Sequence, residues 1–276
     1  MNLIIQGLEI KTSDLVKLKK FSGAKRIVKI TDQAFRLIDA SQQHEIPEFC
    51  SSAKLDFSFV KPLLRLADFG LVAIDMDSTL VNAESIDEVA DMHGIKSQVA
   101  KITASAMRGE IEFSEGFRQR VTLLKGLNQG VLEKVYDERI KLNSGAERML
   151  REMKLMGIKI ILISGGFSFF TDRLKKKLGL DYAFANRIEI VNGKFTGKVL
   201  GEIIDAQKKS EILRNICKEL NLRKNQSIAI GDGANDLQML AEAGVSIAYH
   251  AKPIIQRNAT HIINYVGLDG IINLFE

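Results

Sequence analysis

From Phe69 onward the chain alternates short, near-continuous apolar runs with amphipathic stretches of helical length, and this rhythm limits the fold more than any other feature. The apolar runs are 71–74, 158–164, 182–185, 227–230, 245–248 and 261–263. Helical stretches such as 145–156, 168–178, 206–220 and 235–243 fall among them. A strand that is apolar at every position is covered on both faces, and strands separated by helices join in parallel. The pattern predicts an open α/β parallel sheet with right-handed crossovers. Two segments interrupt it. About eighty residues separate the first strand from the second, far more than an ordinary crossover, and most of them (82–142) favour helix, so a helical insertion follows the first strand. Residues 187–201 alternate around Asn192-Gly193, the favoured two-residue hairpin turn.

Ahead of this core, residues 1–68 carry short elements of mixed polarity. A strand is expected over 2–10, a helix capped by Ser13 over 13–21, a strand over 25–31 and a loop containing Pro47 over 41–52. Residues 55–66 are apolar enough to pack on a neighbour. This describes a small N-terminal α+β domain before an α/β domain spanning 69–276.

Composition narrows the function. The 276 residues are 46% hydrophobic and 26% charged, which excludes a disordered chain. The net charge of +5 is too thin to predict nucleic-acid binding, and +3 of it lies before Phe69, where 11 Lys/Arg face 8 Asp/Glu. No run approaches the roughly 20 apolar residues of a membrane span, and MNLIIQGLEIK lacks the basic start of a signal peptide. Cys50 and Cys217 form neither a metal spacing nor a disulfide framework. The expected compartment is a reducing cytosol. His44, His93, His250 and His261 show no ligand spacing, and Phe169, Phe170 and Leu174 have the spacing of core residues.

Three strand ends carry the chemistry. In AIDMDSTLV (73–81) a strand runs into Asp75 and Asp77, whose i, i+2 spacing turns both carboxylates to one side. The carboxyl end of a parallel strand is the usual ligand crevice. Paired carboxylates there suit a hard cation such as Mg²⁺; one can attack phosphorus while the other moves protons. A bare D-x-D also reads as a solvated turn, and the later motifs decide against that. ILISGGF (161–167) ends in Ser164 and two glycines, a phosphate cradle or simply a turn. IAIGDGANDLQML (228–240) presents Asp232 between glycines, then Asn235 and Asp236; Asp232 can complete a metal site with Asp236 one layer behind it, although Asn235 or Asp236 could also serve as helix cap. Lys209, near a helix start, is a surface residue or a cation for phosphate.

DMDST, LISGG and GDGAND, in this order and with Lys209 between the last two, resemble the haloacid dehalogenase superfamily of phosphohydrolases over residues 70–276. DMDSTLVNAESID, the insertion segment MRGEIEFSEGFRQRV (107–121) and LGLDYAFANRIEI (178–190) resemble its phosphoserine phosphatase family, with Met76 where many members have Phe. The resemblance implies an enzyme with a helical cap that closes over the site. It would hydrolyse O-phospho-L-serine to L-serine and phosphate through an aspartyl-phosphate, the last step of L-serine biosynthesis. Asp75 would be the nucleophile and Asp77 the general acid/base. One Mg²⁺ per subunit would sit on Asp75, Asp77 and Asp232. Ser164, Gly165 and Lys209 would bind phosphate, Glu84 the ammonium and Arg120 the carboxylate. Asn235 would position the ligand, and Met107 and Phe113 would line the cap. By spacing alone Glu84 and Arg120 are ordinary helix-surface charges, and Arg108, Arg118 and Lys125 rival Arg120. Another small phosphomonoester, such as phosphohomoserine, or a binding protein without turnover stays open as an alternative. The family also implies a homodimer, with residues 1–68 either an amino-acid-binding or dimerising module or a cover for the core.

Overall fold

The structure is a computed structural model that describes residues 1–107 and 110–276, the side chain of Met107 excepted. The first sixty residues form β1 (Asn2–Gln6), α1 (Thr12–Ser22), β2 (Arg26–Thr31), β3 (Ala34–Ile38), α2 (Glu45–Ala53) and β4 (Asp56–Val60). The strands make an antiparallel sheet in the order β2-β3-β1-β4. Central β1 is buried along its whole length. By the period-two geometry of a strand, Leu3 and Ile5 pack with Leu15 and Leu18 of α1 and Ile46 and Cys50 of α2, while Ile4 joins Val60, Leu66 and Phe69 in the main core.

Two expectations need correction. The segment 41–52 is not all loop: α2 occupies most of it, and Pro47 sits in the first helical turn, where a missing N–H forfeits no intrahelical bond. Helix α1 begins beyond Lys11 without a side-chain cap, and Ser13 Oγ donates instead to Asp14 Oδ1 at 3.4 Å. Strand β3 is an addition; its half-buried AFRLI has too little alternation to stand out.

The second sheet begins with β5 (Leu71–Asp75). Helices α3 (Ser85–Asp91), α4 (Lys96–Met107), α5 (Phe113–Leu123), α6 (Gly130–Glu138) and α7 (Ala146–Leu155) precede β6 (Lys159–Phe167). Then come α8 (Ser168–Leu178), β7 (Tyr182–Val191), β8 (Lys194–Leu200), α9 (Ala206–Glu219), β9 (Ser227–Gly231), α10 (Leu237–Glu242), β10 (Val245–Tyr249), α11 (Pro253–Gln256) and β11 (His261–Ile263). The strand order is β11-β10-β9-β5-β6-β7-β8, parallel except for β8. Helices cover both faces. Val72 and Ile74 pack with Met149 and Leu150 of α7, and Leu71 and Ala73 with Ile212 and Leu213 of α9. The β7–β8 ribbon turns at Asn192 and Gly193, whose φ angles of 49° and 73° are those of a tight hairpin turn. Among the described residues no helix is long and apolar enough to cross a membrane.

The chain builds β6 and β7 on one side of β5 and β9–β11 on the other. Such a reversal of direction opens a crevice at the carboxyl ends of the strands beside it. The motifs end there.

Candidate active site

Asp75 is the last residue of β5, where a single helical turn over Met76–Leu80 begins; Asp77, inside that turn, is itself extended, and both carboxylates line one cavity. Met76, between them, points the other way into the main core. Ser78 then turns the chain at a φ of 57°, in the left-handed region. Its Oγ donates to Glu84 Oε1 at 2.7 Å. Asp77 Oδ1 accepts the Ser85 N–H at 2.8 Å, and its Oδ2 faces Ser164 Oγ at 3.4 Å.

Lys209 lies in the first turns of α9, whose start is capped by Asp205 accepting the Lys208 N–H at 2.8 Å. Its side chain is fully buried, and Nζ donates to Asp75 Oδ1 and, at 2.8 Å, to Asp236 Oδ1. Asp236 Oδ2 accepts the N–H groups of Asp232 and Gly233, both at 3.2 Å. A Cβ on Gly231 would lie 2.5 Å from the Asp236 carboxyl carbon, so this close approach requires glycine. Thr79 Oγ1 donates to Asp232 Oδ1 at 3.1 Å.

Asp75, Asp232 and Asp236 bring carboxylate oxygens within 4.8 Å of one another. Both oxygens of Asp236 are engaged by Lys209 and the loop. Asp75 and Asp232 each keep one that accepts no hydrogen bond among the described residues. Burial pushes Asp75 well above the usual carboxylate range, with Asp236 adding to it and Lys209 opposing. Asp232 is pushed up to about 6 by burial and then by Asp236 and Glu84. Burial and then Glu84 push Asp77 to about 7. For Lys209, burial works against the charge, but Asp236 and Asp75 outweigh it and raise the ammonium further. Oxygen-only donors carrying more negative charge than their surroundings neutralise fit a hard divalent cation.

Above these groups lies a cavity of about 320 Å³ between the strand ends and the inserted helices. Of the residues singled out from sequence, it brings together Asp75, Asp77, Glu84, Phe113, Arg120, Gly165, Asp232 and Asn235. Ser164, Lys209 and Asp236 lie beside it, hydrogen-bonded to its walls. Arg120 Nε is buried with no hydrogen-bond partner among the described residues, and the guanidinium carbon lies 5.8 Å from the Phe117 ring centroid. Burial lowers its pKa, against Asp87 and Glu84, which raise it. A buried guanidinium with an idle donor is a receptor for an anion. The Phe113 ring covers Gly165, 3.0 Å from where a Cβ would stand. Met107, as a side chain, and Arg108 lie outside the described residues.

The sequence reasoning assigned Ser85 and Lys252 no role, and it read Gly166 only as one of the two glycines after Ser164. A Cβ on Gly166 would meet Asp77 Oδ2 and Ser85 Oγ at 2.9 Å, so this glycine lets β6 approach the Asp77 loop. Lys252, just past β10, lines the cavity. Its position at a strand end in the same parallel sheet was the available signal.

A parallel sheet whose adjacent strand ends carry an aspartate pair, a serine cradle and a lysine-bound acidic loop, with helices inserted after the first, defines a haloacid dehalogenase-like hydrolase. The family model of that description matches residues 69–244, and a domain of unknown function matches residues 3–46. The phosphoserine phosphatase of a Polaromonas species is 48% identical over 220 residues, 78% of this chain and 93% of that one. A haloacid dehalogenase family hydrolase from Salmonella enterica serovar Typhi superposes with a TM-score of 0.89 at 34% identity, covering 100% of this chain and 98% of its own. A substrate-bound phosphoserine phosphatase superposes with a TM-score of 0.71 at 42% identity, over 75% of this chain and 99% of its own. The chain belongs to the phosphoserine phosphatase family of these hydrolases.

Proposed function

We propose that the protein hydrolyses O-phospho-L-serine to L-serine and phosphate through an aspartyl-phosphate, the last step of L-serine biosynthesis. The observation that carries this reading is the Asp75 carboxylate: one oxygen is held by Lys209, and the other is open beside Asp232 in a cavity of about 320 Å³. O-phospho-L-serine has a phosphate, an ammonium and a carboxylate, and the cavity offers Lys209 with the Ser164–Gly165 segment, Glu84 and the idle Nε of Arg120.

The free Asp75 oxygen attacks phosphorus as the ester bond to the serine oxygen breaks. Lys209, the Ser164 hydroxyl and the Gly165 N–H hold the phosphoryl oxygens while charge moves onto them. Asp77, with a pKa near 7, gives its proton to the departing serine oxygen and then accepts one from the water that opens the aspartyl-phosphate. Asn235, in the short turn just before α10, positions the ligand, and Phe113 closes the wall over Gly165. Helices α3–α6, within 82–142, act as a cap that excludes bulk water. Residues 1–68 form an N-terminal module packed directly on the catalytic domain of residues 69–276.

The donor set fits Mg²⁺. Asp75 and Asp232 would hold it through their carboxylates; Asp77, whose carboxylate is committed to Ser85 and Ser164, has its main-chain oxygen to offer. Bound there, the ion neutralises the phosphate and the raised aspartates. Buried free thiols at Cys50 and Cys217 agree with a reducing compartment.

The test is phosphate release from O-phospho-L-serine with and without Mg²⁺, with Asp75→Asn alongside. Release that needs the metal and disappears in the mutant is expected. Release from other phosphomonoesters but not from phosphoserine would keep the catalytic core and remove the assignments of Glu84 and Arg120.

A further inference from the structure

The cavity has a cation that the assignments above leave unused. Lys252 lines it from the β10–α11 turn and lies at the mouth, exposed. Strand β10 is two strands from β5, roughly 10 Å at the usual strand spacing. Lys209, in contrast, touches Asp75 itself. Phosphorus bonded to Asp75 is therefore served by Lys209, and a cation entering from β10 meets the far end of the substrate. In O-phospho-L-serine that end bears the carboxylate, and Arg120 can cover one side of it.

What holds Lys252 is also unusual. Its N–H donates to the Asp232 carbonyl at 3.2 Å, which ties the turn to the metal-binding loop. Two residues earlier, His250 has a φ of 46°, in the left-handed region that few non-glycine residues adopt, and its neighbours hold it there. Those neighbours are the end of β11 and the segment after it. The His250 N–H donates to the Ile263 carbonyl at 2.7 Å, and its ring Nε2 lies 3.2 Å from the Val266 carbonyl. Gln256 Nε2 donates both to the Ala251 carbonyl at 2.7 Å and to Asn264 Oδ1 at 3.0 Å.

That segment is gripped in turn from the N-terminal sheet. Asp56, on β4 and buried, accepts the N–H groups of Asn264 at 2.6 Å, Tyr265 at 2.9 Å and Val266 at 3.0 Å. A buried carboxylate that satisfies three successive main-chain donors fixes their position closely.

We propose that Lys252 is a further substrate-binding residue that contacts the carboxylate end of the substrate, and that Asp56, in the N-terminal sheet, positions it through residues 264–266 and His250. The inference rests on the functional reading above and adds to it a role for the N-terminal sheet in substrate selection.

The test compares O-phospho-L-serine with O-phosphoethanolamine, which has the phosphate and the ammonium but no carboxylate. Lys252→Met keeps the length of the side chain and removes its charge. It should raise KM for phosphoserine about tenfold, leave kcat within a few fold and lower the ratio of the two kcat/KM values by a similar factor, in line with the loss of a charge-assisted contact. Asp56→Asn should lower the same ratio by about threefold or more. A purely structural role for Asp56 would lower Tm and reduce both substrates equally, which would overturn the positioning part. An unchanged ratio in Lys252→Met, with wild-type turnover of phosphoserine intact, would overturn the inference alone. A wild-type protein inert toward phosphoserine would overturn the functional reading and this inference with it.

Discussion

Burial holds the His261 imidazole, on β11, down to about 4. In the unfolded chain a histidine titrates near 6.5, so between these values the unfolded state binds the extra proton. Stability from this residue is therefore full above pH 6.5 and is lost as pH falls toward 4. Near pH 4.5 the loss should reach about 2–3 kcal/mol. His261→Leu should remove that acid-side slope, which urea unfolding of both proteins at pH 7 and pH 4.5 would measure; equal losses in the two would refute it. Asp77 makes the contrasting case, a buried acid raised to about 7 within the site. Asp77→Asn keeps the shape and cannot shuttle a proton, so kcat for phosphoserine should fall by about 10²–10⁴ with KM within a few fold. An unchanged kcat in steady-state assays would remove Asp77 from proton transfer. At this scale the sequence was unevenly legible. Asp75, Asp77 and Asp232 follow apolar runs directly, so spacing alone places them at strand ends. Arg120 stands among Arg118, Lys125 and other helix charges, and only the fold shows that its Nε is buried and idle.

The Ser164–Gly165–Gly166 segment shows how an element sets the geometry of its neighbours. Strand β6 comes so near the Asp77 loop that a Cβ on Gly166 would lie 2.9 Å from Asp77 Oδ2 and 3.1 Å from Ser164 Oγ. Gly166→Ala must push the acid/base away from the phosphate cradle. The expected result is a folded protein, with Tm within a few degrees, whose kcat is lower by about 10²-fold, as small displacements of reacting groups cost. Wild-type kcat in that variant would mean the approach has no part in catalysis. The elements most legible in the sequence were the buried strands, because covering both faces leaves an unbroken apolar run. Helix α2 shows what was hidden. Ile46, Phe49, Cys50 and Ala53 do follow the i, i+3, i+4, i+7 stripe of an amphipathic helix. Pro47 and the polar residues before it masked that stripe, although a proline in a first turn does not break a helix.

At the scale of the molecule, the two sheets share one interior. Ile4 and Val60, from the N-terminal sheet, are buried in the same apolar cluster as Val72 and Ile74 of β5. Polar clasps close the seam: Arg36 donates to the Phe275 carbonyl at 2.6 Å and pairs with Glu276 at 2.9 Å, and Asn273 Nδ2 donates to Gln6 Oε1 at 2.7 Å. These contacts join residues more than two hundred positions apart, so no local pattern could announce them. The composition shift near residue 69 marks where the sheets change, and it is silent about how firmly they are joined. A module on a loose linker would unfold by itself, whereas one whose central strand completes the catalytic core cannot leave without exposing that core. Thermal unfolding followed by calorimetry should therefore show one transition. Ile4→Ala, which opens a cavity between the two sheets, should lower that whole transition by about 2–5 kcal/mol of stability. Two separate transitions, with only the lower one moved by Ile4→Ala, would show that the N-terminal sheet folds independently, and the path from Asp56 to Lys252 would then have no fixed base to act from.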